Sequence, residues 1–238
     1  MANWERSADW YDVMNPWGPG DDFHLRLVMG AERVLDVGCG TGTLLCRARE
    51  DGHTGRLTGL DPDPAMLGRA RVREDVEWVL GDAASARWDR EFDLAVMTGH
   101  AFQVLVTDDD VRASLRAVRA ALVPGGRFAF DTRDPRTRAW EDWHGSSFEV
   151  RNDDGEPAVV SYTVHSVDGD VVDLSETFTG RWWPAPLAER GALRFLDERA
   201  LDAFLTEAGF TVEARHGDWA GGPVTGTTEE LITVARAG

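Results

Sequence analysis

The sequence predicts an α/β fold: a mostly parallel seven-stranded sheet with helices on both faces, plus an antiparallel β insertion. Three observations carry that prediction. Short apolar runs alternate with helical stretches from residue 33 to residue 130, a glycine-rich turn follows the first run, and beyond Asp131 longer runs rich in Val, Thr, Tyr and Phe replace the alternation.

The elements follow in order. Residues 33–37 are apolar and end in Gly38-Cys39-Gly40-Thr41-Gly42, and residues 43–50 have a helical pattern, giving strand, glycine turn, helix. Residues 56–60, 76–80, 92–97 and 127–130 are further apolar runs, with helices near 65–72 and 108–122 between them. In the second of these helices Val111, Leu115, Val118 and Leu122 recur at helical spacing, while Arg112, Arg116 and Arg119 fall on the other side. Thr107 stands at its N-cap, Asp108-Asp109-Asp110 complement its dipole, and Pro124-Gly125-Gly126 stops it. Residues 147–151, 158–167 and 171–181 read as antiparallel strands, with Asp168-Gly169-Asp170 as a hairpin turn. A helix at 198–208 ends at Gly209, and strands at 210–215 and 230–235 close the main sheet. The expected division is N-terminal cover helices over residues 1–30, a main domain over 31–134 and 193–238, and the insertion over 135–192.

Charge narrows the partners. The chain carries 42 acidic residues against 25 basic ones, all of them arginine, for a formal charge of −17. Nucleic acids and anionic membranes bind through clustered positive charge, so neither is an expected partner. Cys39 and Cys46 have neither metal-ligand spacing nor the number for a disulfide framework, which fits a reducing compartment. Residues 1–12 lack a signal pattern, and no apolar run approaches the roughly 20 residues that span a bilayer. A cytoplasmic location is expected.

The chemistry concentrates at strand ends. In an open α/β sheet a ligand sits beyond the carboxyl ends of the strands, where glycine lets the backbone approach and a helix offers free N–H groups. Gly38, Gly40 and Gly42 supply such a loop, and their Gly-x-Gly-x-Gly spacing departs from the Gly-x-Gly-x-x-Gly of dinucleotide binding. Asp36, an acid in an otherwise apolar strand, needs a cationic or N–H partner. Asp61 ends the next strand, where it can accept from ribose hydroxyls, and Asp82 follows the third, where it can accept from an adenine amino group. Each acid alone also suits an ordinary turn. Three at successive strand ends after a glycine loop form a pattern.

Val34-Leu35-Asp36-Val37-Gly38-Cys39-Gly40-Thr41-Gly42 closely resembles the first motif of the class I S-adenosylmethionine-dependent methyltransferases, whose fold is Rossmann-like. The resemblance covers residues 31–132 strongly and 195–234 by general pattern, with 122–127 similar to the turn before the fifth strand. It implies the cofactor S-adenosyl-L-methionine, with S-adenosyl-L-homocysteine as product. The loop of Gly38, Cys39, Gly40 and Gly42 would lie under the methionine and ribose, Asp36 would hold the methionine end, and Asp61, with Pro62 and Met66 beside it, the ribose. Asp82 and Ala83 would contact adenine.

Two further segments are similar to small-molecule members of that family. A tyrosine placed like Tyr11, in Trp10-Tyr11-Asp12, covers the cofactor near its sulfonium. Thr98 and Gly99 would touch the cofactor, and His100 would face the methyl group, so Tyr11 and His100 are the catalytic candidates. Phe102 and Gln103 are expected pocket walls, joined by Trp140, His144, Tyr162 and Trp183 of the insertion, whose aromatics suit a small-molecule pocket. The insertion matches no motif, which leaves the acceptor unidentified, and it could also form a contact in a homodimer. An N, O or C atom of a small molecule would take the methyl group in line, with His100 or His144 as base where a proton must leave. No metal is expected, since His144 and His165 lack ligand spacing and Asp131 and Asp134 read as turn caps. The alternatives are a non-catalytic S-adenosylmethionine-binding relative and a nicotinamide oxidoreductase, the latter opposed by the glycine spacing.

Overall fold

A computed structural model describes residues 10–152 and 154–238. Residues 10–14 (α1) and Pro19–Met29 (α2) are helical. Then come β1 (Arg33–Val37), α3 (Thr43–Glu50), β2 (Arg56–Asp61), α4 (Pro64–Ala70), β3 (Glu77–Leu80), β4 (Phe92–Met97), α5 (Asp108–Ala121) and β5 (Leu122–Arg133). The chain continues through α6 (Trp140–Trp143), β6 (Ser147–Arg151), β7 (Pro157–Asp168), β8 (Val171–Thr179) and β9 (Leu187–Arg194) to α7 (Glu198–Glu207), β10 (Phe210–His216) and β11 (Glu230–Ala237).

Seven strands form one sheet in the order β10-β11-β5-β4-β1-β2-β3. β1 to β5 pair in parallel, and β11 runs antiparallel to both β5 and β10. The central strands β1, β2 and β4 are buried on both faces because both are covered. Leu35, Val37 and Ala95 pack with Val111, Leu115 and Val118 of α5 and Leu201 and Leu205 of α7. Val34, Val96 and Ala129, pointing the other way, pack with Val28 of α2 and Leu44 and Leu45 of α3. Side chains alternate along a strand, so Asp36, two residues from Val34, and Asp131, two from Ala129, both lie on the α2–α3 side. The order reverses between β1 and β4, and the crevice for a ligand lies beyond their carboxyl ends.

β6 to β9 form a separate antiparallel sheet in sequence order, with the expected hairpin turn at Asp168-Gly169-Asp170. Two sequence expectations change here. The third strand ends at Thr179 rather than at residue 181, and the fourth, β9, runs to Arg194, past the expected limit of the insertion. Its sequence, LAERGALR, lies at the sheet edge with three of its eight residues exposed and none buried, so it lacks the apolar run that reveals a buried strand. α5 also ends earlier: Leu122 is already extended, and Pro124-Gly125-Gly126 falls inside β5.

α1 joins the two sheets. Trp10 is buried among Ala158, Val160, Phe178 and Trp183 of the second sheet, with Val13 and Met14 beside it, while Asp12 accepts from Thr41 Oγ1 at 2.5 Å at the end of β1.

Candidate cofactor and acceptor site

The loop after β1 is held by the strand beside it. The amides of Gly38 and Cys39 both donate to the Leu60 carbonyl, at 2.7 and 3.1 Å. Asp61 accepts the Gly40 amide on Oδ2 and the Asp63 amide on Oδ1, each at 2.8 Å. Gly42 caps α3 with φ +80°, and a Cβ there would lie 2.3 Å from the Trp78 ring. Only glycine fits that position, since it combines a left-handed backbone with contact at the Trp78 face.

Asp36 is buried to 1% exposure, and its Oδ1 has no hydrogen-bond partner among the described residues. Burial, then the charges of Asp61 and Asp21, push its carboxyl up to about 8. The Tyr11 ring lies over Gly40, 3.5 Å from where a Cβ would be, and its hydroxyl is raised by burial and then by Asp61, Asp12, Asp36 and Asp21. Tyr11 therefore stays protonated and can donate. Four carboxyl groups converge on one ring, one of them the orphaned buried Asp36, an environment that favours a cation. S-adenosylmethionine brings two, its ammonium and its sulfonium, so these residues fit it.

The remaining cofactor candidates flank the same crevice. Pro62 is exposed and Met66 half-buried after β2. Asp82, exposed after β3, caps a short turn by accepting the Ser85 amide at 2.7 Å on Oδ1, and the buried Ala83 follows it. Asp82 thus takes the turn role that its sequence also suits, leaving Oδ2 for a ligand. Cys39 is buried, and burial together with Asp36 and Asp61 drives its thiol far up, so it is an uncharged packing group. Beyond β4, Thr98 is half-buried and Gly99 exposed. Their turn lies against the glycine loop, because a Cβ on Gly38 would come 3.1 Å from the Ala101 side chain.

His100 ends that turn with φ +63° and belongs to a polar cluster in which Asp131 and His24 are buried and His100 and Glu230 half-buried. Its Nε2 lies 2.8 Å from Glu230 Oε2 and 3.7 Å from Asp131 Oδ2, and its amide donates to Asp131 Oδ2 at 2.8 Å. His24 of α2 brings its Nε2 within 3.6 Å of Asp131 Oδ1, and neither atom has a hydrogen-bond partner among the described residues. Asp131 is raised by burial, which His100 and His24 oppose. Asp131 is thus no turn cap, contrary to its sequence reading, whereas Asp134 caps the turn at 135–137 by accepting the Arg136 amide. Donor atoms of His100, Asp131 and Glu230 all lie within 4.8 Å of one another, a spacing that also suits a metal ion. Single-residue motifs do not reveal this cluster, since His24 and Glu230 sit 76 and 130 residues from His100.

The expected pocket walls make the following contacts within the protein. Phe102 is buried and stacks on Phe130 with ring centroids 4.4 Å apart. Gln103, with no exposed surface, is a clamp: its Nε2 donates to the Arg194 carbonyl and its Oε1 accepts from Arg133. Trp140 packs edge-on against Phe195, and Trp183 against Trp10 and Phe178. Large aromatic rings gain most from burial, and these strands offered two cores to bury them in. His144 is exposed, and its Nδ1 accepts the Val164 amide, so it holds a loop away from the cluster. Tyr162 stays half-buried and donates to Glu176 at 2.6 Å.

A methyltransferase-domain family matches residues 34–126, the stretch from β1 to the start of β5. The chain is 35% identical over 156 residues to the 2-phytyl-1,4-naphtoquinone methyltransferase of Thermosynechococcus vestitus, covering 59% of this chain and 68% of that one. It is 29% identical over 206 residues to the cypemycin N-terminal methyltransferase of a Streptomyces species, covering 84% and 81%. Among solved structures, CalS10 of Micromonospora echinaspora, an amino pentose methyltransferase with S-adenosylmethionine bound, superposes with a TM-score of 0.69 at 24% identity over 100% of this chain and 98% of that one. The chain belongs to the class I S-adenosylmethionine-dependent methyltransferases. It is an enzyme of that family with S-adenosylmethionine as its cofactor.

Proposed function

We propose that the enzyme methylates an amine nitrogen of a small molecule, with the cluster of His100, Glu230 and Asp131 as the acceptor-binding and proton-removing group. The carrying observation is the 2.8 Å contact between His100 Nε2 and Glu230 at the carboxyl ends of β4 and β5, beside the loop that suits the cofactor. An alkylamine arrives mostly protonated at neutral pH and must lose a proton before its lone pair can attack. Two carboxylates favour the ammonium form, and the Glu230 carboxylate beside His100 would take the proton as the nitrogen turns to the methyl group. Two of the similar proteins point the same way, one being named for N-terminal methylation and the other for an amino pentose.

Asp36, the Gly38–Gly42 loop, Asp61, Asp82 and the Thr98–Gly99 turn would hold the cofactor. When bound, it supplies an electrophilic methyl group. Tyr11 covers the glycine loop and keeps water out, Asp12 anchors that cover to Thr41, and the cluster orients the nitrogen. Turnover of an amine panel with labelled cofactor tests the reading: transfer to amines and none to matched alcohols supports it, and the reverse refutes it.

Asp131 Oδ1, which accepts no hydrogen bond among the described residues, favours a second reading, in which a divalent cation bound by His100, Asp131 and Glu230 positions the acceptor. Loss of turnover on chelation, restored by Mn2+ or Zn2+, would select it over the first.

A further inference from the structure

Arg133 differs from the other arginines that sit away from water. Arg194 pairs with Asp108 and Asp170, and Arg215 with Asp202, but no carboxylate lies within 4 Å of the half-buried Arg133 among the described residues. Its Nη1 donates to Gln103 Oε1 at 3.2 Å, and its guanidinium lies over the Trp143 ring, 5.0 Å from the centroid. Nε and Nη2 have no protein acceptor among the described residues. Burial lowers its basicity from the usual arginine range, opposed by the charges of Glu230 and Asp131 and by Tyr162. It stays a cation, and one with little water gains more than a surface arginine from an anion.

Its position relates that cation to the cluster. Arg133 on β5 is the cross-strand partner of Glu230 on β11, and Asp131 lies two residues back on the same strand. All three side chains therefore leave the same face, with the Cβ atoms of the direct pair about 5 Å apart. Glu230 turns to His100, and Arg133 turns to Gln103 and Trp143, toward Tyr162 of the second sheet. The two neighbours thus form no ion pair with each other and present a proton-accepting end and a cationic end side by side.

We propose that Arg133 binds the carboxylate of the acceptor, so that the substrate is an amino acid or a similar short amino-carboxylate whose amine lies at His100 and Glu230. The planar fork of Nε and Nη2 suits both oxygens of a carboxylate. A dianionic phosphate suits the site less, because Glu230 and Asp131 already face a single cation. The inference rests on the amine reading above and adds the group that selects among amines.

The test compares glycine, sarcosine, β-alanine and γ-aminobutyrate with their decarboxylated counterparts methylamine, dimethylamine, ethylamine and propylamine at saturating S-adenosylmethionine. At least one amino-carboxylate should exceed its counterpart in kcat/KM by about ten- to a hundredfold, the range for a charged hydrogen-bonded pair. Arg133→Gln should raise KM for that amino-carboxylate by the same factor, leaving kcat, the rate on its counterpart and S-adenosylhomocysteine affinity within a few-fold. Equal rates within each pair, or a preference that survives Arg133→Gln, would overturn the inference while leaving the amine reading intact. A variant that loses S-adenosylhomocysteine binding instead would assign Arg133 to the cofactor's own carboxylate and likewise overturn it. Transfer to none of the eight amines, with transfer to alcohols, would remove both readings. Calorimetry of β-alanine on the S-adenosylhomocysteine complex gives a readout apart from turnover: binding to the wild type that Arg133→Gln abolishes.

Discussion

The Asp61 carboxylate accepts the Gly40 amide at 2.8 Å, so the acid that ends β2 holds in place the glycine loop that ends β1. Its other oxygen accepts from Asp63, which itself caps α4 by accepting the Ala65 amide. Asp61→Ala should weaken S-adenosylhomocysteine binding by about 1–3 kcal/mol, the range for an unreplaced polar contact. Calorimetry measures this, and Asp61→Asn should recover part of the loss, since its carbonyl can still accept from one amide.

Asp36 should make binding and stability depend on pH in opposite senses. Its carboxyl moves from 3.8 to about 8 in the folded protein, so the native state keeps a proton that the unfolded chain loses. The stability it contributes is full below about pH 4 and falls as pH rises through about 8. A cation favours the ionised form, so cofactor affinity should rise over the upper part of that range and binding at pH 7 should release a proton. Calorimetry in buffers of different ionisation enthalpy reads that release. Asp36→Asn should abolish it, raise the melting temperature of the ligand-free protein at pH 9 by a few degrees, and weaken cofactor binding.

His100→Ala should lower methyl transfer by about 10²- to 10⁴-fold, the contribution of a positioned base, with cofactor affinity within a few-fold. Glu230→Gln should act through the same contact, so the double variant should lose little more than His100→Ala alone. Additive losses in that double-mutant cycle would separate the two residues.

Gly42→Ala should destabilise the protein by about 2–4 kcal/mol, combining the left-handed backbone with overpacking against Trp78. Trp78→Phe in the same chain should return part of the loss, because a smaller ring leaves room for the methyl group. Chemical denaturation measures both.

The sequence made the main sheet legible because its parallel strands carry short, mostly apolar runs, and the glycine loop because its spacing is short and local. Asp36, Asp61 and Asp82 were legible for the same reason, each standing at the end of such a run. β9 was not, since an edge strand with no buried residue has no such signature. The packing of the wall residues was not legible for another reason: Phe102, Trp140 and Trp183 are the residue types that line pockets and also those that fill cores, and only tertiary packing distinguishes the two. His24, Glu230 and Arg133 carry no local motif. Their roles arise where α2, β5 and β11 meet, far apart in the chain.

Trp10 and Tyr11 are adjacent in sequence, yet one is sealed into the second sheet and the other lies on the glycine loop. Lifting Tyr11 to let a nucleoside in or out therefore pulls on an indole whose removal from its core costs about 3–5 kcal/mol. With Tyr11 as the cover, traffic through the cofactor crevice would be geared to the packing of a sheet that need never touch the cofactor. Sequence drift in Ala158, Val160 or Phe178 would then tune how fast product leaves, with every residue of the chemistry unchanged.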